Sequence, residues 1–183
     1  EFFGYEGRLT DRIVTIPSLL RKSGYHTYIS GKWHLGSDLN SIPIRKGFEK
    51  SFVLLTGAGN HYSNRKVIEN YPDSSFSENG KRIRWIDGNY STDYYTDKII
   101  EYIDSNKEDK KPFFAFASYT SPHWPLQVDK NFSNNYKGKY DNGYDKLKTE
   151  RFDKLKDLKI IPQNAVLPNG HKRLKSWKDL SSK

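Results

Sequence analysis

The sequence contains no cysteine and no methionine among its 183 residues, and it has no long hydrophobic run. Without cysteine, neither a disulfide framework nor a thiolate-ligated metal site can form within the chain. The longest apolar run, from Phe113 to Ala117, is far shorter than the roughly 18 to 20 residues that a transmembrane helix needs. The first residues also lack the pattern of a secretion signal. These absences predict a chain with no membrane segment and no site that depends on cysteine.

The lack of methionine extends to the first position, because the chain opens with Glu1-Phe2-Phe3-Gly4. A complete open reading frame starts with methionine, so we expect an internal excerpt of a longer protein. Aromatic residues make up 15% of the chain and supply large apolar side chains, although the mean hydropathy is −0.89. A chain of this length and composition forms one folded domain or two.

Positive charge is in excess and is concentrated towards the C-terminus. The 31 Lys and Arg residues outnumber the 22 Asp and Glu residues, for a formal charge of +9, and residues 129–183 carry +7 of it. Clustered Lys and Arg are typical of a surface that binds polyanions. The alternative is the solvated face of an amphipathic helix, because acidic and basic residues alternate between Gly143 and Lys159 while apolar residues recur at helical spacing. We favour the solvated helix.

Two successive helix–strand units organise the rest of the chain. Helical periodicity predicts helices over 10–22 and 92–106, and the β-branched and aromatic residues after them predict strands over 25–30 and 112–119. The second strand is almost wholly apolar, which is typical of a parallel strand covered on both faces. The segment between the two units predicts loops or an insertion, with a short strand over 81–87. This order predicts an α/β fold with a mostly parallel sheet and right-handed crossovers.

Polar residues stand just past the ends of both predicted strands. Lys32 and His34 follow the first strand and His123 follows the second, and in open α/β sheets ligands bind beyond the carboxyl ends of the strands. An ammonium group beside imidazoles that titrate near neutrality suits an anionic substrate. The alternative is that Lys32 is a surface charge, Trp33 is buried in the core and His34 bonds a backbone carbonyl, while His123 is a histidine without function in a proline-stiffened turn. The first interpretation gains support from neighbours that restrict the backbone: Gly31, Gly36, Pro122 and Pro125.

An ordered series of motifs covers nearly the whole chain and includes these residues. In chain order the motifs are Thr15-Ile16-Pro17-Ser18-Leu19-Leu20-Arg21-Lys22-Ser23-Gly24-Tyr25, Gly31-Lys32-Trp33-His34-Leu35-Gly36, Lys46-Gly47-Phe48-Glu49, Lys111-Pro112-Phe113-Phe114, Ser121-Pro122-His123-Trp124-Pro125-Leu126-Gln127, Tyr140-Asp141-Asn142-Gly143-Tyr144-Asp145 and Ile160-Ile161-Pro162. The series resembles the arylsulfatase-like sulfatases of the alkaline-phosphatase superfamily. The resemblance implies that residues 1–183 are an internal fragment of the N-terminal catalytic domain. It also implies part of an alkaline-phosphatase-like α/β sandwich, with a mostly parallel central sheet that is incomplete at both ends.

The resemblance further implies a role for each of the three strand-end residues in cleaving a sulfate ester. Lys32 contacts the sulfate and the nucleophile, His34 hydrogen-bonds the hydroxyl of the nucleophile, and His123 contacts the sulfate near the leaving oxygen. These roles agree with the chemistry, because an ammonium group stabilises negative charge on the sulfuryl oxygens and an imidazolium can protonate the departing oxygen. The expected substrate is a sulfated small molecule or a sulfated glycan, and Asn60 and His61 are candidate contacts for it.

The cofactors that the resemblance implies lie outside this chain. Sulfatases of this group use a formylglycine nucleophile, made from Cys or Ser in a Cys/Ser-x-Pro-x-Arg motif, and a calcium ion held by acidic and amide side chains. That motif does not occur here, and the neighbours of Asp141-Asn142 match a helix start instead of a calcium-binding strand end. We therefore expect no metal ligand in residues 1–183 and no turnover by this chain alone. Bacterial members of the family are often periplasmic or secreted, which is the localisation that the resemblance implies.

Two other functions stay open at this point. A phosphomonoester, phosphodiester or phosphonate hydrolase of the same superfamily grips its anion with similar groups, and the residue at the nucleophile position distinguishes it from a sulfatase. A non-catalytic protein that binds polyanions through its basic C-terminal residues is the rival from another class. The affinity of such a protein falls steeply with salt and survives the loss of Lys32 and His123. We expect no nucleic-acid partner.

Overall fold

The computed structural model describes residues 3–67, 69, 74–85 and 88–180. The chain divides into two compact units, residues 1–127 and residues 128–183. In chain order the helices and strands are α1 (Ile16–Lys22), β1 (His26–Lys32), β2 (Lys50–Leu54), β3 (Phe76–Glu78), β4 (Lys81–Ile83), α2 (Ser91–Asp104), β5 (Phe113–Ser118), α3 (Lys130–Asn134) and α4 (Gly143–Asp157). Within the described ranges, no helix is long and apolar enough to cross a membrane.

The first unit is built on a five-stranded sheet in the order β4-β3-β2-β1-β5. Strand β1 lies at the centre of its parallel part, because β2 and β5 both pair with it in parallel. Strands β3 and β4 form an antiparallel hairpin beside β2. The sheet confirms the predicted α/β class with a mostly parallel core.

Alternating side chains divide the core between the two faces of the sheet. On β1, Tyr28 and Ile29 are both fully buried but belong to different clusters, as expected when successive side chains point to opposite faces. Helix α2 packs on the face of Tyr28 and contributes Tyr95 and Tyr102 to that cluster. The opposite cluster consists of Ile29, Trp33, Ile42, Phe48, Val53 and Leu55.

Helix α1 is shorter than the predicted helix over 10–22. It begins only at Ile16, because Thr15 has an extended backbone and its side chain accepts a hydrogen bond from the N–H of Ser18, at 3.3 Å. Pro17 then falls in the first turn, where its missing N–H costs no helical hydrogen bond. Proline thus fits the start of this helix, which agrees with the interpretation that Pro17 divides the segment 10–22 and starts its second part.

Strand β2 is a core strand within the segment that the sequence predicts to be loop or insertion. The usual signal for a parallel strand is a preceding helix, and the connection from β1 to β2 contains only a short 3₁₀ helix, Pro43–Lys46. The apolar run in β2 is also short, so it does not distinguish a buried strand from a buried loop. The predicted strand over 81–87 is present only as β4, and residues 86–87 lie outside the described residues.

Strand β5 was expected to be covered on both faces, and that prediction is wrong for this structure. Among the strands of the described residues, β5 lies at an edge and pairs with β1 alone. Its residues Phe113 and Phe116 are 51% and 48% exposed. The apolar composition of a parallel strand is therefore present without the full cover that usually accompanies it, which agrees with a partial domain.

The second unit contains α3 and α4. Helix α4 confirms the helical periodicity predicted between Gly143 and Lys159, although it ends at Asp157. The side chain of Asp145 in its first turn accepts hydrogen bonds from the Ser176 hydroxyl, at 2.6 Å, and from the Trp177 N–H, at 2.7 Å. The Tyr144 ring meets the Trp177 ring edge to face. These contacts tie the start of α4 to a segment that lies 31 residues further along the chain.

The amino end of the central strand carries a histidine between two carboxylates. The Nδ1 of His26 lies 2.7 Å from Glu49, and its Nε2 lies 2.6 Å from Asp109. These hydrogen bonds, first with Asp109 and then with Glu49, raise the pKa of His26. Because both partners are carboxylates, the doubly protonated ring donates to each of them. The charged ring therefore joins β1 to the segments that precede β2 and β5.

We predict that this cluster makes stability depend on pH. The raised pKa means that the contribution of His26 is complete below its ordinary pKa of about 6.5 and is lost as the pH rises through the raised value. Urea unfolding of the native protein at about pH 5.5 and about pH 8.5 should show a loss of stability that His26→Gln removes. His171→Gln, which changes an exposed histidine, is the matched control. Equal pH dependence in the protein and in His26→Gln would contradict the assignment.

Candidate active site

The carboxyl ends of the three parallel strands are aligned at one edge of the sheet. Lys32 at the end of β1 is paired in register with Leu54 at the end of β2. Gly31 is paired with Ser118 at the end of β5. The loops that leave this edge carry His34, residues 57–61 and His123. The structure thus brings the loops of all the predicted site residues to one edge of the sheet.

Strands β1 and β5 approach each other very closely just before Lys32. Gly31 has a φ of +127°, and a Cβ atom at this position would lie 2.0 Å from the carbonyl oxygen of Ser118. The Ser118 hydroxyl donates a hydrogen bond to the carbonyl oxygen of Lys32, at 2.8 Å. Only glycine has both the space and the backbone freedom that this contact requires. The position of Lys32 relative to the start of the His123 loop is fixed by these contacts.

Trp33 anchors the backbone between the two candidate residues that flank it. Its indole N–H donates to the carbonyl oxygen of Ser41, at 2.9 Å, and its backbone N–H donates to that of Leu54, at 2.8 Å. Trp33 is buried, Lys32 is half-buried and His34 is exposed. Trp33 therefore points into the interior, which both interpretations of this segment expect. With the indole held inside, the polar residues on either side of it are left at the surface of the edge.

The loop after β5 presents His123 with one ring nitrogen already bonded. The Nδ1 of His123 lies 2.6 Å from the carbonyl oxygen of Trp124. A carbonyl oxygen only accepts, so Nδ1 carries the hydrogen and Nε2 is the nitrogen left for an external partner. The backbone N–H of His123 donates to the carbonyl oxygen of Thr120, at 2.8 Å. The peptide bonds that precede Pro122 and Pro125 are both cis.

Hydrogen bonds join the His123 loop to the rest of this edge. Ser121 in the loop lies 3.1 Å from the Thr92 hydroxyl of α2 and 3.3 Å from the hydroxyl of Tyr90. Gln127 at the end of the loop accepts a hydrogen bond from the His61 backbone N–H, at 2.8 Å, through its side chain. The backbone carbonyl oxygen of Gln127 accepts another hydrogen bond from the Tyr90 hydroxyl, at 3.2 Å. The loop is therefore held at both ends, by α2 and by the loop after β2.

Asn60 and His61 make contacts within the protein. His61 is 2% exposed, its Nδ1 lies 2.6 Å from the Ser91 hydroxyl, and burial lowers its pKa. Asn60 donates its backbone N–H to the Ser74 hydroxyl, at 3.1 Å, and its side-chain oxygen accepts from the Tyr62 N–H. These contacts shape the loop after β2. The substrate contacts of both residues stay a prediction.

The donor atoms at this edge suit an anion and do not suit calcium. Calcium takes about six to eight oxygen ligands, most of them from carboxylates and carbonyls. The candidate residues here are Lys32, His34 and His123, which offer an ammonium group and imidazole nitrogens. No group of three or more histidine, aspartate or glutamate side chains is arranged to hold a metal ion within the described ranges.

The sequence analysis missed the residues that support this edge. Ser118 and Gly57 carry no recognisable signal, because a serine at the end of a strand and a glycine in a loop are common in any fold. Gln127 lies within a quoted motif, but a motif does not reveal the partner of a side chain. Gly31 was noted as a residue that frees the backbone, and its close contact with Ser118 gives that freedom a reason.

We predict that Gly31→Ala disrupts this edge severely. The added methyl group overlaps the Ser118 carbonyl, and the positive φ disfavours alanine, so the loss of stability should exceed about 2 kcal/mol. Gly24→Ala is the matched control, because Gly24 has a φ of +88° and no atom near its Cβ position. Both variants are measured by urea unfolding, and Gly24→Ala should lose only about 1 kcal/mol of unfolding free energy. Equal losses would show that the close approach of β1 and β5 is not a constraint.

Comparison with curated proteins finds sulfatases over the whole chain. It is 37% identical to an uncharacterized sulfatase of Schizosaccharomyces pombe, with 98% of this chain and 34% of that protein covered. It is 32% identical to an arylsulfatase of Klebsiella aerogenes, with 97% of this chain and 38% of that protein covered. The chain thus spans about a third of the length of these relatives.

Solved structures give the same answer for the fold. The crystal structure of Ps i-CgsB matches with a TM-score of 0.63 and 26% identity, over 75% of this chain and 33% of the other. The structure of BT4656 in complex with its substrate D-glucosamine-2-N,6-O-disulfate matches with a TM-score of 0.55 and 27% identity, over 73% of this chain and 24% of the other. Residues 3–174 match the family model named Sulfatase. The chain belongs to the sulfatase family.

Proposed function

We propose that this chain supplies the sulfate-binding part of the active site of a sulfuric ester hydrolase, with Lys32, His34 and His123 as its catalytic residues. Membership of the sulfatase family supports the reaction class. The single observation that carries the assignment of residues is the aligned carboxyl edge of β1 and β5, from which the Lys32 and His123 segments both leave. An ammonium group and an imidazole in segments that meet at the ends of neighbouring strands form a site for one anionic group.

Lys32 and His123 act on opposite parts of the scissile bond. Hydrolysis breaks the bond between sulfur and the ester oxygen, and negative charge builds up on the sulfuryl oxygens and on the leaving oxygen. The Lys32 ammonium group stabilises the first charge. The His123 imidazolium gives the proton on Nε2 to the leaving oxygen, while its Nδ1–H keeps donating to the Trp124 carbonyl oxygen and holds the ring in place.

His34 hydrogen-bonds the hydroxyl of the nucleophile and orients it towards sulfur. We place that nucleophile outside residues 1–183, where a formylglycine made from Cys or Ser would supply a hydroxyl nucleophile as its aldehyde hydrate. The donor atoms at the described edge do not fit calcium, and we place its ligands outside residues 1–183 as well. The exposed position of His34 beside the strand end supports its role, because the ring can be reached by a group from another part of the protein.

The substrate class is a sulfated small molecule or a sulfated glycan. A structure that is 27% identical to this chain binds glucosamine disulfate, which supports a sulfated sugar. A phosphoester hydrolase of the same superfamily is the closest rival, and comparing sulfate and phosphate esters of one alcohol separates the two. The second rival, a polyanion-binding protein, draws on the +7 charge of residues 129–183.

We predict that alanine at Lys32, His34 or His123 lowers kcat/KM of a full-length sulfatase that contains this chain by about a hundredfold or more. The controls are Lys22→Ala and His171→Ala, which change one exposed residue in each of the two units. Activity is measured with a nitrophenyl sulfate and with a sugar sulfate. The His123→Ala loss should be smaller for the nitrophenyl ester, because that leaving oxygen needs less protonation.

Two results would contradict this assignment. Variants that keep kcat/KM within about twofold of the parent protein would remove these residues from catalysis. Retention of a sulfated ligand by the Lys32→Ala, His123→Ala double variant, with affinity that falls steeply with salt, would support the polyanion-binding protein instead.

We also predict that the 183-residue chain by itself turns over no aryl sulfate when calcium is added, because it lacks the nucleophile. The measurement is release of the chromophore by the purified chain, with the full-length sulfatase as the positive control. Turnover by the chain that Lys32→Ala abolishes would show that the nucleophile lies within residues 1–183.

A further inference from the structure

Gly57 lies in the loop that follows β2, next to the strand end that carries Lys32 and His34. We propose that Gly57 is a positioning residue for His34: the absence of a side chain at position 57 creates the space that the His34 imidazole ring occupies. This inference rests on the proposed function, in which His34 orients the nucleophile. It adds a residue that acts on catalysis only through the histidine ring.

The space around Gly57 is filled by one ring. A Cβ atom at Gly57 would lie 2.6 Å from Cε1, 2.7 Å from Nε2 and 3.0 Å from Nδ1 of His34, and these are its three nearest neighbours. Carbon atoms in unstrained contact are separated by about 3.5 to 4.0 Å. Alanine would therefore force the ring and the loop apart by about 1 Å. The neighbouring Gly59 differs, because its Cβ position faces Ser74 and Leu54.

Steric space, and not backbone conformation, is what requires glycine at position 57. Gly57 does not have a positive φ, whereas Gly31 and Gly36 do. Residue 57 thus lacks the positive φ that would by itself disfavour alanine. The loss that we expect from Gly57→Ala is therefore caused by the imidazole ring, which makes the effect removable by a second substitution.

The backbone is held on both sides of this contact, so the His34 ring is the part that moves. The backbone before His34 is fixed by buried Trp33, which donates its N–H to Leu54, and His34 itself has a positive φ of 51°. On the other side Gly57 is buried, and the loop closes on itself through the Thr56 hydroxyl, which donates to the Ala58 carbonyl at 3.0 Å. A methyl group at position 57 therefore displaces the ring itself. A displacement of about 1 Å at a catalytic group can lower a rate by about a hundredfold.

The test is a double-mutant cycle in a full-length sulfatase that contains this chain, using Gly57→Ala, His34→Ala and the pair. We expect Gly57→Ala to lower kcat at least tenfold, with a smaller change in KM. In the His34→Ala background the same glycine substitution should change kcat by less than about twofold, because no ring remains to be displaced. A structural role for Gly57 would lower kcat again in that background.

Thermal stability gives a readout that does not depend on activity. Gly57→Ala should lower Tm in the parent protein, and His34→Ala should restore most of that loss, because it vacates the contested space. If Gly57→Ala alone does not accumulate in a folded form, the double variant should fold and its recovery carries the test. The control is Gly170→Ala, whose Cβ position is open; it should keep kcat within about twofold.

The outcomes separate the inference from the proposed function. Full activity of His34→Ala would overturn the role of His34 and, with it, the proposed function of that residue. A strongly impaired His34→Ala together with a fully active Gly57→Ala would overturn only the positioning role of Gly57. Additive losses of kcat, or a loss of Tm that His34→Ala does not relieve, would do the same.

Discussion

The close approach of β1 and β5 at Gly31 decides where the candidate active-site residues stand. At this point β1 has a glycine, and the Ser118 carbonyl oxygen of β5 stands where a Cβ atom of residue 31 would be. The Ser118 hydroxyl then bonds to the carbonyl of Lys32. Because the two strands are locked immediately before they end, the loops that follow them start from fixed points. The positions of the lysine and of the His123 loop are consequences of that contact.

The loop after β2 connects the two sides of the edge. At Gly57 it meets the His34 ring, and at His61 it donates a hydrogen bond to Gln127 of the His123 loop. The buried His61 ring is bonded to Ser91 at the start of α2. Three parallel strands and one helix thus hold the same small region. A site built on several rigid elements keeps catalytic groups closer to their working geometry than a site on one free loop does.

Sequence reasoning reached the fold class and the ends of two strands because their signals are local. The aromatic and β-branched residues of β1 and the apolar run of β5 predict strands by composition alone. The parallel strand β2 and the exposed edge of β5 were not predictable, because both depend on which segments pair. The motif order named Lys32, His34 and His123, but it carried no information about Gly57 or Ser118, whose roles exist only as contacts with residues distant in sequence.

The central claim is that Lys32 and His123 bind the same sulfate group. A crystal structure of a full-length sulfatase that contains this chain, with a sulfate ester bound to an inactive variant of its nucleophile, tests it most directly. We expect the Lys32 Nζ and the His123 Nε2 each to lie within about 3.2 Å of oxygens of one sulfate group. A sulfate group bound elsewhere, with the two side chains turned to different sides of the sheet, would contradict it.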